Sequence, residues 1–511
     1  MAVFNLKNYS LVIKNTASLY IRMVVLTVIS LFTVRIVLQS LGVENYGLYN
    51  VVAGFVSMFA FVSGTLTIAT QRYFAISLAD NNWVELNKIY SINIVIYLLA
   101  SIVIIILSQT LGIWFVLQKL VIPENRIFAC IVVYELSVLS FIIGFLTCPY
   151  LALLVADENI SIYSTISVGE GLLKIAIAYC IYNTKWDKLI LYSVLNTLVA
   201  IIINGIYFIY VFITYKQLKF KFSKNISEYK SIALFLNWNL IGAVAYVFKS
   251  QGINIIMNMF FGALINAARG IAFQVSSVVV AFSQNFMKAI DPQITKSFAK
   301  GDKNDFIKII FVSSKVSFYL LYVIALPLIL NMNYVLGVWL VSVPKFAVPL
   351  TILALVDSLI LSVTDSIFTA VQSVGKVKWY QITVGGLSLL NLPISYILLQ
   401  YVHDPLLPSV ICIAISFAMT VARLVNIKVI YEFPVILYLQ KVITPLLVVV
   451  VASSLISYIF FSSASAFIEL CIFSVGCVIL IFLLIIIFGI TNEERNVLKN
   501  IIFVKLLRKG C

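Results

Sequence analysis

Charged residues lie inside long apolar stretches of the sequence, where a charge is costly. Five are basic and four are acidic: Arg22, Arg35, Lys174, Lys249 and Arg269, and Glu135, Glu170, Asp357 and Asp365. A charge inside a bilayer costs at least about 2.5 kcal/mol on insertion scales, so such residues favour a polar cavity or pathway. Basic groups there suit an anionic substrate, and carboxylates suit the transfer of a coupling proton. We predict that the basic residues bind substrate and that the acidic residues couple transport to an ion.

Lys249 lies near the middle of the apolar run 232–261, too far from either membrane surface to reach water easily. No acidic residue lies within four positions of it, so its own helix cannot supply a partner. The polar residues that follow have helical spacing and form one stripe: Ser250, Gln251, Asn254 and Asn258. The pattern predicts a wet groove, and the alternative is a partner on another helix, with Asp357 or Asp365 as candidates.

The other basic residues have structural explanations beside the functional one. Arg22 and Arg35 lie close enough to the ends of their run for the side chains to reach the interface. Glu170 and Lys174 stand at positions i and i+4, which favours an ion pair within one helix. Arg269 stands at the start of its run and could be an outer-rim residue.

The elements that must position these residues are membrane helices. Hydrophobic residues make up 62% of the 511 residues and charged residues 11%, whereas soluble domains have about 45–50% and 25%. Apolar runs long enough to cross a bilayer predict about fourteen helices. The sequence therefore predicts an all-α integral membrane protein. The net charge of +15 belongs to loops between apolar runs, which argues against nucleic-acid binding.

Lysine and arginine are distributed unequally between alternate connections. One set of connections carries most of them, in the stretches 7–14, 72–88, 216–230, 288–308, 376–378, 423–441 and 495–509. The opposite set carries only Lys119, Arg126, Lys185, Lys188, Arg269 and Lys345. Because basic loops stay in the cytoplasm, both termini are predicted to be cytoplasmic.

The chain also repeats a pattern at about 220 residues, a period typical of repeated transporter halves. Leu41 and Gly42 precede one long run, and Phe261 and Gly262 precede another. We predict two pseudo-symmetric lobes of six helices followed by two further helices. The predicted boundaries are 1–215 for the first lobe, 216–231 for a basic cytoplasmic linker, 232–432 for the second lobe, 433–490 for the last two helices, and 491–511 for a cytoplasmic tail.

Several sites of enzymes and ATPases are missing from the sequence. There is no Walker A motif, and the single histidine, His403, excludes a zinc site of the HExxH type. The seven cysteines are scattered without metal or disulfide spacing. We predict no catalytic residues, no metal and no cofactor. A membrane enzyme of polysaccharide assembly remains an alternative, although the outer loops are too short for a folded module.

The opening hairpin is similar to that of Wzx-type polysaccharide flippases of the multidrug/oligosaccharidyl-lipid/polysaccharide exporter superfamily. The matching elements are LYIR at 19–22, Arg35, LGVENYGLYNVVAG at 41–54 and ATQRYF at 69–74. The resemblance implies a V-shaped, MATE-like pair of lobes that alternately open a cationic cavity to either face. The implied substrate is an undecaprenyl-diphosphate-linked oligosaccharide, such as an O-antigen repeat unit, in a bacterial inner membrane. Membrane lipid, a polysaccharide polymerase and chain-length machinery are the implied partners.

Superfamily members that export organic cations give the alternative function. Such exporters would be expected to depend on acidic residues in the first lobe. The first two predicted helices hold none apart from Glu44, which lies in the predicted connection LGVENYGLY. This departure favours an anionic substrate.

Overall fold

The computed structural model describes residues 6–79, 82–157, 159–182, 184–220, 247–460 and 466–490. All regular secondary structure in these ranges is helical, as the sequence predicts. Helix is the form that satisfies backbone hydrogen bonds within one segment, which is required where no water is present. The basic linker, except for its first residues, and the predicted cytoplasmic tail lie outside the described residues.

The helices are numbered here in chain order. The first seven helices are α1 (Leu6–Ser57), α2 (Ala60–Ala79), α3 (Trp83–Leu107), α4 (Ile113–Lys119), α5 (Ile127–Ala156), α6 (Ile160–Tyr182) and α7 (Lys188–Thr214). They are followed by α8 (247–261), α9 (Ala263–Ala299), α10 (Lys303–Leu330), α11 (Met332–Trp339), α12 (Ala347–Ser362) and α13 (Asp365–Val374). The last are α14 (Val377–Tyr380), α15 (Gly386–Leu399), α16 (Leu407–Tyr431), α17 (Val435–Tyr438), α18 (Thr444–Phe460) and α19 (Phe467–Leu484).

Twelve helical segments among the described residues are long and apolar enough to cross a membrane. The first of them, 21–57, includes the break at Gly42, and α2 and α8 are not among the twelve. The predicted membrane class is confirmed, whereas the exact number of fourteen is not established. Large apolar side chains stay exposed along these helices, for example Ile202 and Ile209 in α7, as expected for a lipid-facing surface.

A single glycine interrupts α1. Gly42 has φ 76° and ψ 166°, and residues on both sides are helical. The sequence predicts a loop over LGVENYGLY, but the structure keeps residues 43–57 helical, so Glu44 is part of a helix. Glycine alone adopts this backbone without a Cβ penalty, which lets one residue replace a loop. Gly262, between α8 and α9, has φ 74° and lies 220 positions later, at the equivalent place in the predicted repeat.

The chain forms two compact units. The first contains residues 1–271, 340–347 and 388–408, and the second contains residues 272–339, 348–387 and 409–511. Large aromatic residues fill both interiors: Tyr97, Tyr134 and Phe145 in the first, and Phe306 and Phe433 in the second. The predicted lobe boundaries stay a prediction.

Hydrogen bonds fix the start of the basic linker to the first unit. Asn87 donates to the carbonyl of Gln217 at 3.0 Å and accepts from the amide of Lys219 at 2.8 Å. Tyr215 donates to Asp157 at 2.6 Å. Burial, and then the bond to Asp157, raise the pKa of the Tyr215 phenol, so this group stays a neutral donor at ordinary pH.

The charge distribution gives a topology test on described residues. A cysteine at Lys300, in the connection between α9 and α10, is expected to be cytoplasmic, and one at His403, between α15 and α16, is expected to be periplasmic. In cells whose outer membrane is permeabilised, an impermeant thiol reagent should label position 403 at once and position 300 only after lysis. A version without native cysteines provides the background. Labelling of position 300 before lysis would reverse the topology.

Candidate functional site

The helical hairpin of α8 and α9 joins two of the predicted substrate-binding residues. Lys249 is 7% exposed in α8. Arg269, from α9, donates from Nε to Asn254 Oδ1 at 2.7 Å and from Nη2 to the carbonyl of Ser250 at 3.3 Å. Because Ser250 follows Lys249 directly, both basic residues belong to the same part of the hairpin.

The polar stripe predicted on α8 takes part in a hydrogen-bond network. Asn266 donates to the Asn254 carbonyl at 2.7 Å, and Asn254 donates to Gln251 Oε1 at 2.9 Å. Asn258 Oδ1 accepts from the amide of Val121 at 2.8 Å. Asn258 Nδ2 and Asn266 Oδ1 are buried, and among the described residues neither atom has a hydrogen-bond partner. The hairpin thus offers amide groups beside the two cations.

The charged residues of α8 and the first half of α9 are all basic. The sequence contains no Asp or Glu between Glu228 and Asp291, so α8 and the first half of α9 contribute only positive formal charge. A buried cation and a guanidinium with a fixed donor geometry suit a ligand with a planar or tetrahedral anionic group.

The second half of α1 packs closely on this hairpin. A Cβ atom at Gly47 would overlap the carbonyl of Ala263, and one at Gly54 would lie 2.9 Å from Gln251 Oε1. On the opposite side of the contact, a Cβ atom at Gly270 would lie 2.9 Å from Asn50 Nδ2. Three glycines therefore allow the helix backbones to approach.

Arg22 and Arg35 have different environments. The Arg22 guanidinium lies 4.5 Å from the ring centre of Tyr163, and it donates to the Tyr163 hydroxyl at 3.1 Å and to Ser167 Oγ at 2.6 Å. Arg22 is therefore held by α6. Arg35 is exposed, and no hydrogen bond or ion pair involves it among the described residues.

A partly open cavity of about 260 Å³ with a mixed polar and apolar wall lies in the first unit. It is lined by four helical segments, from α1, α5, α6 and α7. Lys174 Nζ and Glu170 Oε1 are 2.6 Å apart on its wall, which is the ion pair that the spacing of these residues predicts. The remaining polar lining consists of Tyr49, Ser57, Ser137, Ser140, Ser193, Asn196 and Thr197.

The other acidic candidates each have a neighbour. In the first unit, Glu135 accepts from Gln109 Nε2 at 2.6 Å. In the second unit, Asp365 lies 3.4 Å from Arg423 Nη1, and Asp357 lies 3.7 Å from the Cys412 thiol. The cationic hairpin belongs to the first unit, and Asp357 and Asp365 belong to the second.

Sequence reasoning missed a polar group in the second unit. Asp291, in α9, accepts from Thr369 Oγ1 at 2.7 Å, and Thr369 stands one turn after Asp365. Arg423 also donates to Thr364 at 3.1 Å. Arg423 was predicted to be a topology signal of a cytoplasmic connection, although it lies within α16. The i, i+4 spacing of Asp365 and Thr369 could have indicated that the two side chains lie on one face of their helix. Within the described ranges, no group of three or more His, Cys, Asp or Glu side chains could hold a metal ion.

No family model and no curated protein matches the sequence. Several solved structures are similar to the whole fold. The lipid II flippase MurJ in an inward closed conformation has a TM-score of 0.68 at 12% identity, covering 92% of this chain and 97% of that chain. The MATE multidrug transporter DinF-BH, solved as a complex, has a TM-score of 0.62 at 15% identity, covering 83% and 96%.

An outward-facing MATE family transporter of the multidrug/oligosaccharidyl-lipid/polysaccharide superfamily is also similar. Its TM-score is 0.60 at 13% identity, and the match covers 82% of this chain and 96% of that chain. These similarities show that the chain has the fold shared by MurJ and the MATE transporters. At identities this low, they concern the fold alone.

Proposed function

We propose that the chain is a flippase for polyprenyl-diphosphate-linked oligosaccharide, such as an O-antigen or another surface-polysaccharide repeat unit. It moves this lipid from the cytoplasmic to the periplasmic leaflet of a bacterial inner membrane by alternating access. The observation that carries the proposal is the α8–α9 hairpin, in which Lys249 and Arg269 accompany a network of amide groups.

The chemistry of a diphosphate matches this hairpin. Its oxygens are strong acceptors, and charge-assisted hydrogen bonds to them are about twice as strong as neutral ones. Arg269 supplies a planar set of donors, Lys249 supplies a compact charge, and the asparagine amides supply neutral donors. A buried lysine is costly inside a membrane, and contact with an anion lowers that cost. A lipid diphosphate that passes through the protein would contact Lys249 during part of the transport cycle.

Two known transport activities accompany the fold. MurJ is a lipid II flippase, and DinF-BH is a multidrug transporter. The excess of positive charge on the hairpin and the scarcity of carboxylates in the first two predicted spans favour a lipid-linked anion over an organic cation. Export of small organic cations is the second candidate function, and Glu135, a carboxylate of the first lobe, is a residue on which it would depend.

We further propose that an ion gradient drives the transport. The candidates for carrying the coupling ion are Glu135, Glu170, Asp357 and Asp365. Support comes from the lack of a nucleotide motif and from the position of these carboxylates on helices that can span a membrane. We also propose that both termini lie in the cytoplasm. The partners would be a polysaccharide polymerase and chain-length machinery.

Deletion of the gene in its host tests the function. We expect lipid-linked oligosaccharide to accumulate with its sugars facing the cytoplasm, because a diphosphate headgroup crosses lipid very slowly without help. The measurement is protection of the sugars from an added glycosidase or lectin in right-side-out vesicles. Full accessibility from outside would exclude a flippase. A change in drug sensitivity alone would favour the cation exporter, and accumulation of unpolymerised units outside would favour a polymerising enzyme.

A further inference from the structure

The wall of the cavity in the first unit carries hydroxyl and amide groups and one ion pair. Its only charged lining residues, Glu170 and Lys174, form an ion pair, so the wall has no net charge that would attract a free cation or a diphosphate. Hydroxyl and amide side chains provide most of the remaining polar lining. Such a set of short-range donors and acceptors selects ligands by hydrogen bonding and not by charge.

Hydrogen-bond positions remain on these side chains after their internal bonds are counted. Asn196 donates one amide hydrogen to the carbonyl of Tyr192 at 2.8 Å, which uses one of its four positions. Ser140 donates to the Leu136 carbonyl and lies 2.9 Å from Thr197 Oγ1. A serine or threonine that donates to its own helix keeps acceptor lone pairs for a ligand. The ion pair likewise leaves Glu170 with a second oxygen and Lys174 with two N–H donors.

The apolar part of the wall combines two aromatic rings with five aliphatic side chains: Ala53, Val56, Leu136, Val199 and Ala200. Phe141 and Tyr49 both line the cavity, and the ring of Tyr49 is fixed by an edge contact with Tyr192, with 4.7 Å between ring centres. The faces of aromatic rings carry partial negative charge and attract C–H groups of partial positive charge, such as those on one face of a sugar ring. The combination of aromatic rings with hydroxyl and amide groups suits a pyranose.

The size of the cavity limits its occupant. A volume of about 260 Å³ equals that of about nine liquid water molecules at about 30 Å³ each. This holds one sugar ring with its substituents, and because the cavity is partly open, the rest of a repeat unit would extend outside it.

We infer that this cavity is a sugar-binding pocket that takes one monosaccharide of the lipid-linked oligosaccharide, with Asn196 and the Glu170–Lys174 pair as the residues that recognise it. The inference rests on the proposed function. The second half of α1 joins the pocket to the cationic hairpin. Tyr49 and Ala53 line the pocket, whereas Gly47 and Gly54 contact α8 and α9. The two sets lie on faces of one helix roughly 120° apart, as a rotation of about 100° per residue requires.

Binding of two lipids to the purified full-length protein in nanodiscs tests this pocket. The probes are the polyprenyl-diphosphate oligosaccharide extracted from the host's own membranes and undecaprenyl diphosphate without sugar. We expect wild-type protein to bind the oligosaccharide lipid at least tenfold more tightly. In Asn196→Leu, this preference should fall at least fivefold while the affinity for undecaprenyl diphosphate stays unchanged, which also shows that the variant is folded.

Asn204→Leu is the matched control. Asn204 lies two turns further along α7 and donates to the carbonyl of Ala200 at 2.7 Å in the same way, but it does not line the pocket. It should keep the wild-type preference. A second variant, Glu170→Gln with Lys174→Gln, should also lose the preference.

The outcomes separate the pocket from the proposed function. Equal binding of the two lipids by wild type, or an unchanged preference in both pocket variants, overturns the sugar pocket and leaves the flippase standing. Failure of wild type to bind either lipid overturns the proposed function, and the pocket assignment with it.

Discussion

Lys249→Gln is expected to leave the protein folded and inserted but to reduce transport about 10- to 100-fold, since a hydrogen bond to a charged group contributes about 1.5–3 kcal/mol. Lys249 is 7% exposed on a helix that supplies no acidic residue, and it stands beside the backbone oxygen that Arg269 contacts. Lys249→Arg keeps the charge and should retain part of the activity. The measurement is flipping of lipid-linked oligosaccharide in proteoliposomes at equal protein content.

Two comparisons decide whether this loss reports substrate contact. Lys315→Gln changes another lysine of similar burial, 4% exposed in α10 of the second unit, and should affect transport much less. If Lys249 instead packs against a carboxylate, Lys249→Gln should lower thermal stability, and Asp357→Asn in the same chain should restore it. Asp365 is the weaker candidate for that role because Arg423 lies 3.4 Å from it. Restoration of both stability and transport by Asp357→Asn would contradict the substrate role.

The sequence was sufficient to predict the polar face of α8 but not its contact with α9. Helical spacing alone places Ser250, Asn254 and Asn258 on one face. From the sequence, Arg269 was a candidate outer-rim residue. Its contact with Asn254 depends on how the chain turns at Gly262, which the sequence does not specify. That turn needs a positive φ, which a glycine permits but does not require. The sequence therefore contained the residues of the site without their pairing.

The sugar pocket had no sequence signal of comparable strength. Its serines, threonine and asparagine are divided among α1, α5 and α7, and most of them donate to a carbonyl one turn earlier on their own helix. Such residues are common in membrane helices because this internal bond lowers their cost in lipid. Only the packing of α1, α5, α6 and α7 shows that they surround one cavity. The Glu170–Lys174 pair was predictable because both partners stand on one helix.

The charge-based assignment of loops explains what was missed in the second unit. The positive-inside rule treats an arginine near a helix end as a topology signal, so Arg423 was counted with the loops. In the structure it lies in α16 and bonds to Thr364 and Asp365. Asp291, near the end of a long helix, was not among the predicted acidic residues, and its partner Thr369 stands on another helix. Tertiary pairing between distant helices cannot be read from the local charge pattern.

Gly47→Ala is expected to lower the stability of the protein more than a glycine-to-alanine substitution at an uncrowded helix position does. Gly47 belongs to the helical half of α1 that packs on the α8–α9 hairpin, and an added Cβ would overlap the backbone carbonyl of Ala263. A flexible side chain could move aside, but a backbone atom at the start of α9 moves only with its helix. Overpacking of this kind typically costs about 1–3 kcal/mol or more. Alanine would by itself favour a helix by about 1 kcal/mol, so the sign of the result shows which effect dominates.

Gly144→Ala is the matched control, because Gly144 lies inside α5 and an added Cβ there meets no atom within 4 Å. We expect Gly144→Ala to unfold at the same temperature as wild type or slightly higher, and Gly47→Ala to unfold several degrees lower, in the same detergent and at the same protein concentration. Transport should fall in Gly47→Ala alone, because the displaced segment also contacts the hairpin that carries Lys249 and Arg269. If Gly47→Ala were as stable and as active as Gly144→Ala, α1 and α9 would not make this close contact in the functional protein.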